Sequence, residues 1–219
     1  MDRQRRLRFF DENSEPIERR IATGLHKLGL AMKQQTWREA AEDGLSPTQG
    51  QILVALAKEP LTGTELSKGL GVTLPTISDS VRVLVEKGLV DRKPDPRHPR
   101  ASLLTLTAAG RRRATRASAW PEFMASAVSS LSEPEQSAFL SGLLKMIRTL
   151  QENGQIPTSR MCVTCVHFQP NAHEGPTPHH CAFVDAPMAG DHLRVECPEH
   201  EEASALVQAK TWERFMTSQ

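Results

Sequence analysis

The first 161 residues of this 219-residue chain contain no cysteine. No disulfide framework can brace that stretch, so its stability has to come from an ordinary buried core. The chain also lacks any apolar run long enough to cross a bilayer, which excludes a helical membrane span. Its N-terminus, MDRQRRLRFFDENSEP, is basic but has no apolar core segment and no small-residue cleavage site. No secretory signal is expected there, and the cytoplasm is the expected compartment. There is no internal repeat, which sets solenoids and arrays aside. Nor is there an excess of one charge: 27 Lys and Arg stand against 26 Asp and Glu, a formal net charge of +1. With 24 % charged and 38 % hydrophobic residues, the chain composes as a soluble globular protein with room for one core-forming domain and a small appendage.

The near-neutral total hides an asymmetry. From Arg82 to Arg116 there are ten basic residues and three acidic ones, a net +7; from Arg160 to the end there are four basic and eight acidic, a net −4. A polyanion fits the middle of the chain and is repelled by the tail. Such a run is also what a solvated face looks like, so the local architecture has to decide.

Apolar residues at Ile21, Leu25, Leu28 and Met32 predict a helix over Ile17 to Gln35. Ser46-Pro47 opens a second helix, with Ser46 as its cap and Pro60 as its stop. Thr62 and Glu65 stand at capping-box spacing before a short third helix through Leu70. Thr73 to Lys87 reads as a fourth, with Pro75 in its first turn, Val81, Leu84 and Val85 inward, and Gly88 just past its end. Then the period changes. Leu89–Arg92 and Ser102–Leu106 read as two strands around the stiff basic turn Asp95-Pro-Arg-His-Pro-Arg100. Thr107 caps a helix towards Leu131 with a kink or break at Pro121, and Ser132-Glu-Pro-Glu135 opens another through Leu150. A cysteine-rich segment with little periodicity follows, and a last helix is expected from about Pro198 to Met216.

From Leu45 to Ala114 the chain resembles the MarR family of winged-helix transcriptional regulators. The resemblance is carried by Leu45-Ser46, Thr64-Glu65-Leu66, Thr76-x-Ser78, Leu84-x-x-Lys87-Gly88-Leu89-Val90-x-Arg92, Arg97-x-x-Arg100-Ala101 and Leu106-Thr107-x-x-Gly110. It covers about a third of the chain, and the combination is specific where no single piece is. It implies a DNA-binding homodimer, with terminal helices building the dimer interface. The pattern departs at the wing, where His98-Pro99 stands in place of the usual Asp followed by Arg. A stiffer, less salt-bridged tip is the physical consequence.

The residues fit that implication. A recognition helix enters the major groove with its N-terminal residues at base edges. Thr73, Thr76, Ser78, Asp79 and Arg82 are the outward positions of the fourth helix. Arg82 is a guanine reader or a phosphate clamp; Arg97 and Arg100, on the wing, suit the negative potential of the minor groove. A surface ion pair is the alternative for each arginine. Two-fold dimers read two-fold operators, so a palindromic duplex is the expected partner.

The four cysteines read Cys162-x2-Cys165, fifteen residues, Cys181, fifteen more, Cys197. In a reducing compartment such a set points to one bound centre. Zinc held by four thiolates, an iron–sulfur cluster, or a metal-free dithiol at Cys162-x-x-Cys165 all remain open. Paired CxxC knuckles, the commoner zinc pattern, are absent. Cys197-Pro198 and the run Cys162-x-x-Cys165-x-x-Phe168, His180-Cys181, Cys197 resemble small high-potential 4Fe–4S domains, which implies a cluster as first choice and Zn2+ as alternative. Val163, Val166, Phe168, Ala182, Phe183 and Val195 flank the cysteines and would shield such a centre, or simply form a mini-core. His180 and His167 are the histidines best placed to support or replace a ligand.

The expected architecture is mainly α with a small β-wing. It comprises an N-terminal dimerisation helix (1–40), a winged helix-turn-helix (41–114), C-terminal dimerisation helices (115–153) and a small irregular cysteine-rich domain with a terminal helix (161–219). The expected function is a non-enzymatic regulator whose metal centre senses redox state, oxygen or a related signal. A zinc-stabilised regulator with an aromatic inducer is the second reading. A thiol-redox enzyme ranks last, because Cys162-x-x-Cys165 has no thioredoxin-like βαβ setting.

Overall fold

The computed structural model describes residues 14–96 and 101–217. The first helix, α1 (Ile17–Glu42), runs seven residues beyond Gln35 and stops at Gly44, whose φ of +63° only glycine adopts without strain. Helix α2 (Pro47–Lys58) is fixed by a reciprocal cap: the Ser46 hydroxyl accepts the Gln49 N–H at 3.2 Å, and the Gln49 side chain accepts the Ser46 N–H at 3.1 Å. Strand β1 (Leu61–Thr62) leads into α3 (Gly63–Leu70), where Thr62 and Glu65 form the second such box. Each box satisfies two otherwise orphaned donors and contributes about 1 kcal/mol.

Helix α4 (Leu74–Glu86) follows, flanked by Thr73 and Lys87 as its caps. Its positions Ile77, Val81 and Leu84, spaced four and three apart, are at most 2 % exposed. Val85 lies off that stripe and is 36 % exposed, contrary to the inward position that the sequence suggests. Strands β2 (Val90–Pro94) and β3 (Ser102–Leu106) form the expected hairpin, with Val90 opposite Leu106 and Arg92 opposite Leu104. Strand β1 adds to the far side of β3, with Leu61 opposite Leu104, giving the order β1-β3-β2. Two residues cannot display an alternation, so β1 leaves no mark in the sequence. The predicted break at Pro121 is real: α5 (Ala108–Ser118) ends before it and α6 (Glu122–Val128) starts after it. Helix α7 (Glu133–Glu152) follows.

One core joins α2, α3, α4, the wing sheet and α5 through Ile52, Leu53, Leu66, Ile77, Leu84, Leu104 and Ala114. Each such side chain, fully buried, contributes roughly 1.5–3 kcal/mol. At its edge the buried Asp43 carboxylate accepts from Arg113 at 2.9 Å and pairs with Arg116, tying the end of α1 to α5.

A second core lies around the cysteine segment. Sequence periodicity marks that segment as irregular; it holds a small antiparallel sheet of β4 (Phe168–Gln169), β5 (His179–Cys181) and β6 (Ala186–Met188), in that order. The final helix, α8 (Ala205–Met216), starts about seven residues later than expected. The chain before it is held extended, because the Glu201 carbonyl accepts the Val166 N–H at 2.9 Å and the Ala203 N–H donates to the Thr164 carbonyl at 3.0 Å. Met161, Val163, Phe168, Leu193 and Phe215 fill this core, and Leu144 of α7 completes it at 0 % exposure. Arg148, one turn on, donates to Gln208 of α8 at 2.7 Å. The apolar face of α7, expected at a dimer interface, is thus partly committed to the cysteine segment. The stripe on α1 is not: Ile21, Leu28 and Met32 are 50 %, 41 % and 41 % exposed.

Candidate nucleic-acid interface and metal centre

Burying Ile77, Val81 and Leu84 turns the other side of α4 outward. Thr73, Thr76, Ser78, Asp79 and Arg82 are all exposed there, the first four at the N-terminal half of the helix and Arg82 a turn further on. The Thr73 and Thr76 hydroxyls share a hydrogen bond at 2.8 Å, and Thr73 makes no side-chain cap to the helix. The partial positive charge of that helix start therefore faces solvent together with two hydroxyls. Arg82 donates to Glu86 at 3.1 Å and stands 4.0 Å from Asp79. In the free chain it is the surface ion pair of its alternative reading, and such exposed pairs cost less than about 1 kcal/mol to open. Arg97 and Arg100 lie outside the described residues. The Asp95 N–H donates to the Ala101 carbonyl at 3.1 Å, closing the base of the wing, while Arg92 and Lys93 stand exposed on β2.

All four cysteines line one cavity of about 190 Å3, with Phe168, Phe183, Val184 and Met188 as its apolar wall. Cys162 sits in a tight turn (Cys162–Thr164), Cys165 follows it, Cys181 ends β5, and Cys197 comes from the loop before α8. None is in a disulfide. Burial pushes the Cys162 thiol up from its ordinary value; the Arg194 N–H, 3.2 Å from its sulfur, opposes this, and the other three cysteines add to the rise. A raised thiol is the opposite of what dithiol exchange chemistry needs. Among the described residues, no three His, Cys, Asp or Glu side chains form a group drawn tightly enough to hold a single metal ion.

Two residues of this cavity, Arg194 and Glu199, carry no motif in the sequence. The Arg194 guanidinium reaches Cys197 Sγ at 3.6 Å and Glu199 at 3.2 Å. Their spacing, three before and two after Cys197, is the one local hint. Of the histidines, His167 and His192 line the cavity. His180 does not line it: its ring bonds His173 at 3.2 Å and lies 3.3 Å from Asp185, turned away by the strand pairing of its neighbour.

Residues 43–101 match the MarR family. This stretch folds as a winged helix similar to those of the MarR family. The transcriptional regulator AdcR of Streptococcus pneumoniae serotype 2 (strain D39) is 31 % identical over 67 residues, 31 % of this chain and 46 % of its own. The chain thus spans about half the length of that curated relative. The MepR–DNA complex of S. aureus is 28 % identical, with a TM-score of 0.52, over 59 % of this chain and 97 % of that one. MepR of S. aureus in its DNA-binding conformation matches at 28 % identity and a TM-score of 0.53, over 59 % of this chain and 98 % of that one. The MarR-family match begins at the Asp43 junction and ends at Ala101, so it takes in the whole exposed face of α4. It leaves the four cysteines outside. Among the described residues no helix is long and apolar enough to cross a membrane.

Proposed function

We propose that this chain is a DNA-binding transcriptional regulator acting as a homodimer, with the cysteine segment holding a 4Fe–4S cluster that reports redox state, oxygen or a related signal. The DNA half rests on the exposed row Thr73, Thr76, Ser78, Asp79 and Arg82, set on a MarR-family winged helix whose solved relative MepR is known in complex with DNA. Arg97 and Arg100 extend that row onto the wing by sequence. The dimer is supported by the apolar stripe of α1, where Ile21, Leu28 and Met32 remain exposed.

The observation that carries the sensor half is the single cavity lined by Cys162, Cys165, Cys181 and Cys197. Thiolate donors suit zinc and iron–sulfur centres alike. A tetrahedral zinc, at about 2.3 Å from each sulfur, requires the four to converge on a point. The apolar wall of the cavity suits a cluster, which needs shielding from water, and the Arg194 N–H on Cys162 is the kind of contact that tunes a cluster's potential. A cluster held there would supply one-electron chemistry; the chain's part is to bind it, wall it from water with Phe168 and Met188, and offset thiolate charge with Arg194. Purification without oxygen is expected to give a brown protein with about four irons and four sulfides per chain. A colourless protein with one zinc per chain would replace the cluster by a structural ion.

That second outcome would return weight to a small-molecule signal. One feature favours a place for it: a cavity of about 370 Å3 between α1 and α2, lined by Met32, Val54, Trp120 and Phe123, apolar and of a size for an aromatic acid.

For DNA, Arg82→Ala is expected to weaken binding of a duplex selected by the wild-type protein and to reduce the slope of log affinity against log salt by about 1. Titration at several salt concentrations measures it. Weaker binding with an unchanged slope would assign Arg82 to a base edge rather than a phosphate.

A further inference from the structure

The loop bearing Cys197 does more than close the cavity. Its backbone is pinned to Arg160: the Cys197 N–H donates to the Arg160 carbonyl at 2.8 Å, and the Arg160 guanidinium donates to the Pro198 carbonyl. The same guanidinium reaches Glu59 at 3.3 Å, immediately past the end of α2. On the other flank, Glu196 pairs with Lys58, the last residue of α2, at 2.8 Å. Thus both neighbours of Cys197 are tied to two adjacent residues of the winged helix. Pro157, on the same linker, lies against Gly71, where α3 turns towards α4; a Cβ there would stand 3.2 Å from its ring.

The anchor point is where the DNA-reading parts begin. Only Pro60 separates Glu59 from β1, which pairs with β3 of the wing, and Thr62 both ends β1 and caps α3. A shift of Lys58–Glu59 is passed through two residues of strand to the wing sheet and through the cap to the helix-turn-helix. The contacts are charged and partly exposed, so they are weak enough to be broken and remade. A rigid apolar seam would not switch.

We propose that the Cys197 loop is the coupling element of this protein: the pairs Lys58–Glu196 and Glu59–Arg160 transmit the state of the thiol cavity to β1 and α3. For the nature of the signal this rests on the proposed metal centre; the mechanical link is tested without it. Cys197→Ser, which perturbs the cavity, is made in the wild-type chain and in a Lys58→Ala/Glu59→Ala chain, both full length. Amide hydrogen exchange over Leu56–Leu66 is the readout, and circular dichroism checks that each variant is folded.

In the wild-type background Cys197→Ser is expected to speed exchange over Leu56–Leu66 by about five-fold or more. With both pairs cut, the same replacement is expected to change it by less than about two-fold. An equal response in the two backgrounds, or none in either, overturns the coupling. A charge-reversed chain, Lys58→Glu with Glu196→Lys, should recover part of the response; failure to recover while Lys58→Ala alone abolishes it would assign the effect to Lys58 rather than the pair and overturn the proposal. Iron, sulfide and zinc content of the wild-type chain is measured in parallel. A chain without metal sinks the proposed centre and leaves the exchange result to decide the coupling.

Discussion

Cys181→Ser is expected to lower metal affinity by more than about 100-fold, because removing a ligand costs more than the 10–100-fold of removing a residue that supports one. Cys181 ends β5 with Phe168 opposite it, so its sulfur is placed by the sheet and not by a free loop. Serine offers a poorer donor at that fixed position and cannot swing to compensate. Metal binding and local folding are linked, so the core of Met161, Phe168 and Phe215 should loosen with the loss. The winged helix has its own core and should keep its helical signal. Elemental analysis of anaerobically purified protein, with the visible spectrum beside it, gives the answer. Unchanged metal content would remove Cys181 from the ligand set.

Gly110→Ala is expected to destabilise the winged helix by about 3 kcal/mol, the upper end for a forced extra methyl in a packed site. A Cβ on Gly110 would stand 2.0 Å from the Leu89 carbonyl oxygen and 3.3 Å from Leu106. That oxygen cannot retreat cheaply, since it accepts the Thr107 N–H at 3.1 Å and the Thr107 hydroxyl at 3.3 Å. For a chain of this size the melting temperature should fall by about 10 °C. Differential scanning calorimetry measures the shift, and a melting temperature within a degree or two of wild type would mean that α5 slides on β2 without cost. Glycine at this place in Leu106-Thr107-x-x-Gly110 is therefore demanded by close packing of helix on strand, with no need of unusual backbone angles.

Cys181 and Gly110 both belong to motifs legible in the amino-acid sequence, and much of the fold is legible in the same way. The capping boxes at Ser46, Thr62 and Ser132 are written in residues three apart, and local hydrogen bonds decide them. The stripe Val81–Leu84 is likewise local. Val85 escapes such a reading because a two-residue apolar run straddles the edge of a helical face, and only the neighbouring elements fix where the edge falls. The strands β1, β4, β5 and β6 escape it because two or three residues carry no period; their pairing is a long-range matter. The late start of α8 has the same origin, as Glu201 to Ala203 are held by residues nearly forty positions earlier.

Sequence alone determined the winged helix, its outward row of hydroxyls and arginine, and the choice of four cysteines as one set. These follow from helical period, cap chemistry and ligand spacing, all read over a few residues. The tertiary structure decided that the four thiols line a single cavity, that Arg194 joins them while His180 turns away, and that α7 packs into the second core. It also decided that Cys197 hangs from Arg160, and its neighbour Glu196 from Lys58 at the end of α2. Such contacts join residues as much as 138 apart, and no local pattern encodes which distant charge a loop will meet when the chain closes on itself.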